Sequence, residues 1–145
     1  MKRTVVKKII VVPASDAWEV ISELTGVESY LPAVSSSEVF NHAGKIIRSI
    51  NLLDGSHYEE VISRIDEENM ELHYAISDPS PFPYSKLKGK IKITPVNEKS
   101  CEVLWSCCYD PENGPAEEMD VFLTLIISLG IRSIEKLCKK MMAYG

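Results

Sequence analysis

The sequence predicts an α+β fold: a curved, seven-stranded antiparallel sheet wrapped around a long C-terminal helix, with two short helices after the first strand. Three observations carry this expectation. From residue 34 to about 109, apolar side chains alternate with polar ones, the period of half-buried strands. The candidate strands are joined by turns of a few residues, which only antiparallel neighbours permit. From 116 to 143 the apolar spacing becomes three and four, as in one long amphipathic helix.

Residues 3–12 (RTVVKKIIVV) are rich in β-branched side chains and stop at Pro13, which cannot continue a ladder. Ser15 then takes an N-cap position for a helix with Trp18, Ile21 and Leu24 on one stripe, ending at Thr25-Gly26. A second short helix over 26–30 ends before Pro32. Strands 35–42, 45–53, 57–65, 70–78, 86–95 and 101–109 follow, with turns at His42-Ala43-Gly44, Asp54-Gly55 and Asn97-Glu98-Lys99. Asp78-Pro-Ser-Pro-Phe-Pro-Tyr84, with three prolines, suits a stiff loop over a mouth, where Phe82 and Tyr84 either close a lid or anchor the loop. Asp110-Pro-Glu-Asn-Gly-Pro115 punctuates the entry to the last helix, whose expected stripe is Phe122, Ile126, Ile127, Ile134, Leu137 and Met141. Glu117 and Glu118 in its first turn and Lys139 and Lys140 in its last suit the helix macrodipole.

At 145 residues, 45% hydrophobic and 26% charged, the chain fits one domain, 1–145, and needs no disulfide or metal staple. Sixteen basic against 21 acidic residues, a net charge of −5, argue against a nucleic-acid partner. The longest apolar stretch, 122–131, is about half the ~20 residues that cross a bilayer, so no integral membrane association is expected. Lys7 and Lys8 interrupt what would be the apolar region of a secretion signal. Cys101, Cys107, Cys108 and Cys138 lack CxxC spacing, which favours reduced thiols in the cytoplasm. His42, His57 and His73 do not cluster, so no metal and no cofactor are expected; the absence of GxSxG leaves a hydrolase triad unsupported.

Strand parity selects the candidate site, because a one-residue slip reverses every side chain. In 86–95, Leu87, Gly89, Ile91 and Ile93 alternate with Lys86, Lys88, Lys90 and Lys92, so the lysines mark the solvent face and a protected outer edge. Pairing Ile91 with Trp105 makes the apolar faces of this hairpin coincide without a bulge. Cys107 and Cys108 then point to opposite faces, and His73 faces solvent. Pairing 57–65 with 70–78 around Glu68 places Tyr58, Glu60, Ile62 and Arg64 on the inner face with Tyr74 and Ile76. Hydrophobicity alone also allows the opposite parity, with Glu59, Val61 and Ile65 inward. In the first register an inward Glu60 needs a partner, and Arg48 on the preceding strand lies at nearly the right level. Such a pair would orient a polar ligand group or an ordered water, and would hold Glu60 ionised rather than raise its pKa. Trp18 is expected to seal the core, and Gly130 either to leave room for a ligand or to let the helix approach a strand.

The chain resembles the superfamily of START domains, birch-pollen-allergen-type proteins and polyketide cyclases/dehydrases, which share the helix-grip fold. It is most similar to the bacterial polyketide cyclase/dehydrase and lipid-transport branch. The resemblance spans the whole chain. It rests on the strand-Pro-Ala-Ser-Asp-Ala-Trp18 opening, Tyr30-Leu-Pro32, Gly44 with Arg48, Tyr58-Glu-Glu-Val61, Leu72-His-Tyr-Ala-Ile76 and Val103-Leu-Trp-Ser106. Plant abscisic-acid receptors of this superfamily place the counterparts of Glu60, Tyr74, Ile76, Leu87, Phe122, Leu123 and Ile126 around their hormone. The loop 51–57 is shorter than the receptors' gate, and 78–84 lacks their latch sequence, so hormone signalling is not implied.

The expected ligand-binding set is therefore Arg48, Tyr58, Glu60, Ile62, Tyr74, Ile76, Leu87, Trp105, Phe122, Leu123 and Ile126. The expected function is binding or transport of a small hydrophobic molecule, a lipid, polyketide or aromatic metabolite, by a cytoplasmic monomer or weak homodimer. The alternative is a cyclase or dehydratase in which Arg48 polarises a carbonyl and Glu60 or Tyr58 moves a proton.

Overall fold

The computed structural model describes residues 1–112 and 115–144. Strand β1 spans Lys2–Ile10 and leads through Pro13 into helix α1, Ala14–Ser22. The helix begins one residue before Ser15: Pro13 is the N-cap in extended conformation, its carbonyl accepting from the Asp16 and Ala17 amides, and no side chain caps it. Proline suffices here because its fixed φ is already that of an extended cap residue. The expected second helix is a single 3₁₀ turn, Val27–Ser29, entered through Gly26 at φ 75°.

Strands β2 (Val34–His42), β3 (Lys45–Leu52), β4 (His57–Asp66), β5 (Glu71–Ile76), β6 (Tyr84–Asn97) and β7 (Ser100–Pro111) follow. The sheet is antiparallel throughout, in the order β1-β7-β6-β5-β4-β3-β2. Helix α2 runs Ala116–Tyr144, so Lys139 and Lys140 fall one turn short of its end. Of the punctuation before α2, Asn113 and Gly114 lie outside the described residues.

The hairpin registers follow the parity argument with three departures. Glu60 faces Ile76 and Ile62 faces Tyr74, but a bulge between Ile62 and Arg64 then shifts the ladder. Beyond it Ile65 faces Leu72, while Arg64 turns outward, 59% exposed at its side chain, and pairs with Asp66 at 2.9 Å. One extra residue inverts parity downstream, which keeps the guanidinium out of the core. The β6–β7 hairpin pairs Ile91 with Trp105 as expected, yet bulges interrupt it at Ser85/Lys88 and Pro95/Asn97. Finally, β6 lies inside the sheet between β7 and β5, so its lysines occupy the outer face and not an edge; the edges are β1 and β2. On that outer face Glu71 accepts from His73 at 3.0 Å and meets Lys90 at 3.3 Å, which leaves His73 half-buried.

The backbone of α2 comes closest to β1, with α1 and β7 beside it. Its buried side is Leu123, Ile127, Ile131, Ile134 and Cys138. This is rotated from the expected stripe: Phe122 is 41% and Met141 53% exposed, and Ile126 and Leu137 are half-buried. Leu123 is the residue in phase with Ile127 and Ile134 at 3.6 residues per turn, and Phe122 falls a roughly 100° step away from it. Polar clamps add to this packing: Thr4 Oγ1 donates to Asp120 at 2.7 Å, and the Val11 amide to Glu135 at 2.7 Å. No helix among the described residues is long and apolar enough to cross a membrane.

Candidate functional site

Antiparallel pairing sets Arg48 of β3 directly opposite Glu60 of β4, on the face turned toward the interior. Arg48 Nε donates to Glu60 Oε1 at 2.6 Å, and both residues are only 4% exposed. A second donor, Nη1, reaches the Leu24 carbonyl at 3.3 Å. That carbonyl is aimed inward because Leu24, just past the end of α1, adopts a left-handed conformation at φ 67°. A buried leucine holding this uncommon geometry gives the guanidinium a backbone partner in addition to its carboxylate.

Tyrosines surround the pair. The hydroxyl groups of Tyr30 and Tyr58 share the field of Arg48 and Glu60, and burial pushes both phenols above their ordinary value. The Glu60 carboxyl is also raised: loss of water outweighs the opposing pull of the Arg48 charge and hydrogen bond. This overturns the expectation that the pair would leave the Glu60 pKa unraised. Arg48 moves up as well, since Glu60 and Tyr30 together outweigh its desolvation, and it stays protonated.

Tyr74 continues the polar line toward α2. Its hydroxyl accepts from Trp105 Nε1 at 3.0 Å and sits 3.7 Å from Cys107 Sγ. The ring occupies the space over Gly89, its cross-strand partner; a Cβ there would come within 2.0 Å of it. Gly89 is thus the slot that lets a tyrosine lie across the sheet. On the far side Trp105 packs against α2 at Gly130, where an added Cβ would stand 3.2 Å from the indole and 3.1 Å from Leu31. Gly130 therefore serves close approach, and the space beside it is filled by Trp105 and Leu31.

The Pro-rich segment brings Phe82 edge-on to Tyr58, with ring centroids 5.1 Å apart, and stacked on Tyr84 at 5.2 Å. These two ring contacts anchor half-buried Phe82, and with it the Pro-rich loop, beside Tyr58. Trp18 is buried, as a core seal should be, and its Nε1 also donates to Glu67 at 2.6 Å.

Of the expected set, Arg48, Tyr58, Glu60, Ile62, Tyr74, Leu87, Trp105 and Leu123 are buried, and Ile76 and Ile126 are half-buried. Phe122 stands apart on the outward side of α2. Sequence reasoning missed Tyr30, the Leu24 carbonyl and the Gly89 slot. Only the last had a local signal, an inward glycine in an otherwise bulky row. Two open grooves lie elsewhere on the surface: one of about 230 Å³ between α1 and the end of α2, and one of about 550 Å³ beside Ile9 and Asn97. Among the described residues, no three His, Cys, Asp or Glu side chains converge as a metal site requires.

Several solved structures share this architecture. The protein XoxI from Bacillus cereus superposes with a TM-score of 0.87 at 20% identity, covering 98% of this chain and 99% of that one. An aromatase/cyclase from a Streptomyces species gives 0.80 at 9% identity, over 97% and 95%. Norcoclaurine synthase from Thalictrum flavum gives 0.72 at 18%, over 97% and 96%. At these identities the likeness is one of fold. No curated protein matches the chain in sequence. Residues 1–138, from the first strand through most of the grip helix, match the family described as polyketide cyclase/dehydrase and lipid transport, and the chain belongs to that family.

Proposed function

We propose that the protein binds a small, mainly apolar molecule, a lipid, polyketide or aromatic metabolite, between the sheet and α2, with its one polar group held at Arg48 and Glu60. The observation that carries this reading is the Arg48–Glu60 pair itself, 2.6 Å apart and almost dry within an apolar interior. A buried ion pair is a weak source of stability, so a fold that only needed a core would do as well with apolar side chains there. Binding sites, by contrast, combine apolar walls with a few well-placed polar groups. Family membership supports the same ligand class. Phe82 and the Pro-rich segment lie beside Tyr58 and would move to admit the ligand. The reading treats 1–145 as one helix-grip domain working in the cytoplasm.

The test is extraction and native mass spectrometry of the purified protein, followed by titration with a fluorescent fatty acid and a hydroxynaphthalene. A co-purifying lipid or aromatic compound is expected, with Glu60→Gln weakening probe affinity by about tenfold while the chain stays folded. An empty protein that ignores both probes, or binding indifferent to Glu60→Gln, refutes this assignment.

A second reading, catalysis of a cyclisation or dehydration, draws on the raised pKa of Glu60, since a general acid or base works best with its pKa near the operating pH. Arg48 would polarise a carbonyl while Glu60 or Tyr58 moves the proton. Turnover of a poly-β-ketone by wild type but not by Glu60→Gln would establish it. Equal turnover by both would end it.

A further inference from the structure

The outward side of α2 carries a pattern that neither the core nor the ligand site uses. Val121, Leu125 and Leu129 are 60%, 59% and 52% exposed and follow one another at four-residue spacing. Glu118 precedes this row by three residues and Arg132 follows it by three, both exposed. Neither forms an ion pair within the chain among the described residues. At 3.6 residues per turn all five fall within an arc of roughly 80°, opposite the buried row that begins at Leu123. The spacing reads the same in both directions about Leu125, and the two ends carry opposite charge.

We propose that this face is the two-fold interface of a homodimer in which two α2 helices pack antiparallel and cross at Leu125. A two-fold axis there sets Leu125 against Leu125 of the partner subunit and Val121 against Leu129 of the partner subunit. It also brings Glu118 to Arg132 of the partner subunit, and the same contact recurs on the other side of the axis. An isologous interface must be complementary to itself, and this row is so in spacing, in shape and in charge. A flat anionic lipid surface would attract Arg132 at one end of the row but repel Glu118 at the other, whereas an antiparallel second copy satisfies both, so a second copy fits this face better. Phe122, 41% exposed, flanks the row and is partly covered in the dimer. One helix pair is small against the roughly 1,600 Å² of a standard interface, so the dimer is weak, dissociating on the order of tens of micromolar.

Sedimentation velocity between roughly 5 µM and 1 mM tests this, with circular dichroism to confirm that each variant is folded. Wild type is expected to pass from monomer to dimer. Glu118→Arg alone and Arg132→Glu alone each replace two attractive pairs by two like-charged ones and should weaken association about tenfold or more. The double variant, Glu118→Arg with Arg132→Glu, should restore it, which only the antiparallel register predicts. Leu125→Cys should form a disulfide-linked dimer under mild oxidation in a Cys108→Ser background, and Leu129→Cys should not. A wild type that stays monomeric at 1 mM, a double variant no better than the singles, or self-linkage at position 129 in place of 125 overturns the proposal.

Discussion

Arg48 and Glu60 hold each other at 2.6 Å where little water reaches, so removing either alone strands a charge. Arg48→Met or Glu60→Leu alone should cost roughly 3–5 kcal/mol of stability, while the double replacement should fall within about 1 kcal/mol of wild type or above it. Urea denaturation measures all four corners of this cycle. Additive losses would mean that the two side chains do not act as a pair. Much of this site is legible in the sequence, because strand parity and hairpin register bring both residues inward at one level. The Leu24 carbonyl is not, since its direction depends on a left-handed backbone at a residue type that seldom adopts one. Tyr30 escapes for a related reason: it sits just past a 3₁₀ turn with no periodic pattern to read.

Among the elements, α2 shows where pattern reading stops. Its extent is predicted closely, but apolar residues cover more than one side of its first half, so periodicity alone cannot choose which side is buried. Packing against β1 and β7 chooses the Leu123 side. Gly130 lies on that side, and its replacement tests the closeness of helix and sheet. Alanine gains about 1 kcal/mol of helix propensity. Yet its Cβ would stand 3.2 Å from an indole held by its hydrogen bond to Tyr74, whose own ring occupies the Gly89 slot. Gly130→Ala should therefore be net destabilising, by roughly 1 kcal/mol, with a changed near-ultraviolet dichroism from Trp105. A more stable protein would show that Trp105 yields. In β4 the bulge before Arg64 was also missed, because one parity was carried unbroken through 57–65 and so placed Arg64 on the inner face; burying a guanidinium was the cost avoided.

For the whole molecule, ionisation predicts a stability maximum bounded on both sides. Hydrogen bonds from Asn69 and Arg64 hold the Asp66 carboxyl well below its ordinary 3.8, and His73 with Lys90 lowers Glu71. Their contribution is complete above the ordinary values and is lost as pH falls through the lowered ones. Glu60 has the opposite sign: its raised carboxyl keeps a proton that the unfolded chain has released, so its share fades as pH rises from 4.5 through the folded value. Thermal melts across the acid range should show a shallower acid limb for Asp66→Asn and a flatter upper limb for Glu60→Gln. Unchanged slopes would mean that these groups do not govern the pH response. The sequence by itself determined the order of elements and the antiparallel sheet with its grip helix, and hairpin register favoured an inward Glu60 level with Arg48 over the opposite parity that hydrophobicity alone allowed, because alternation, turn length and cross-strand register are local properties that add along the chain. Only the tertiary structure decided the side of α2 that faces the sheet, the bulge that expels Arg64 and the upward shift of the Glu60 carboxyl. Each depends on how tightly distant segments exclude water and one another, which no local pattern encodes.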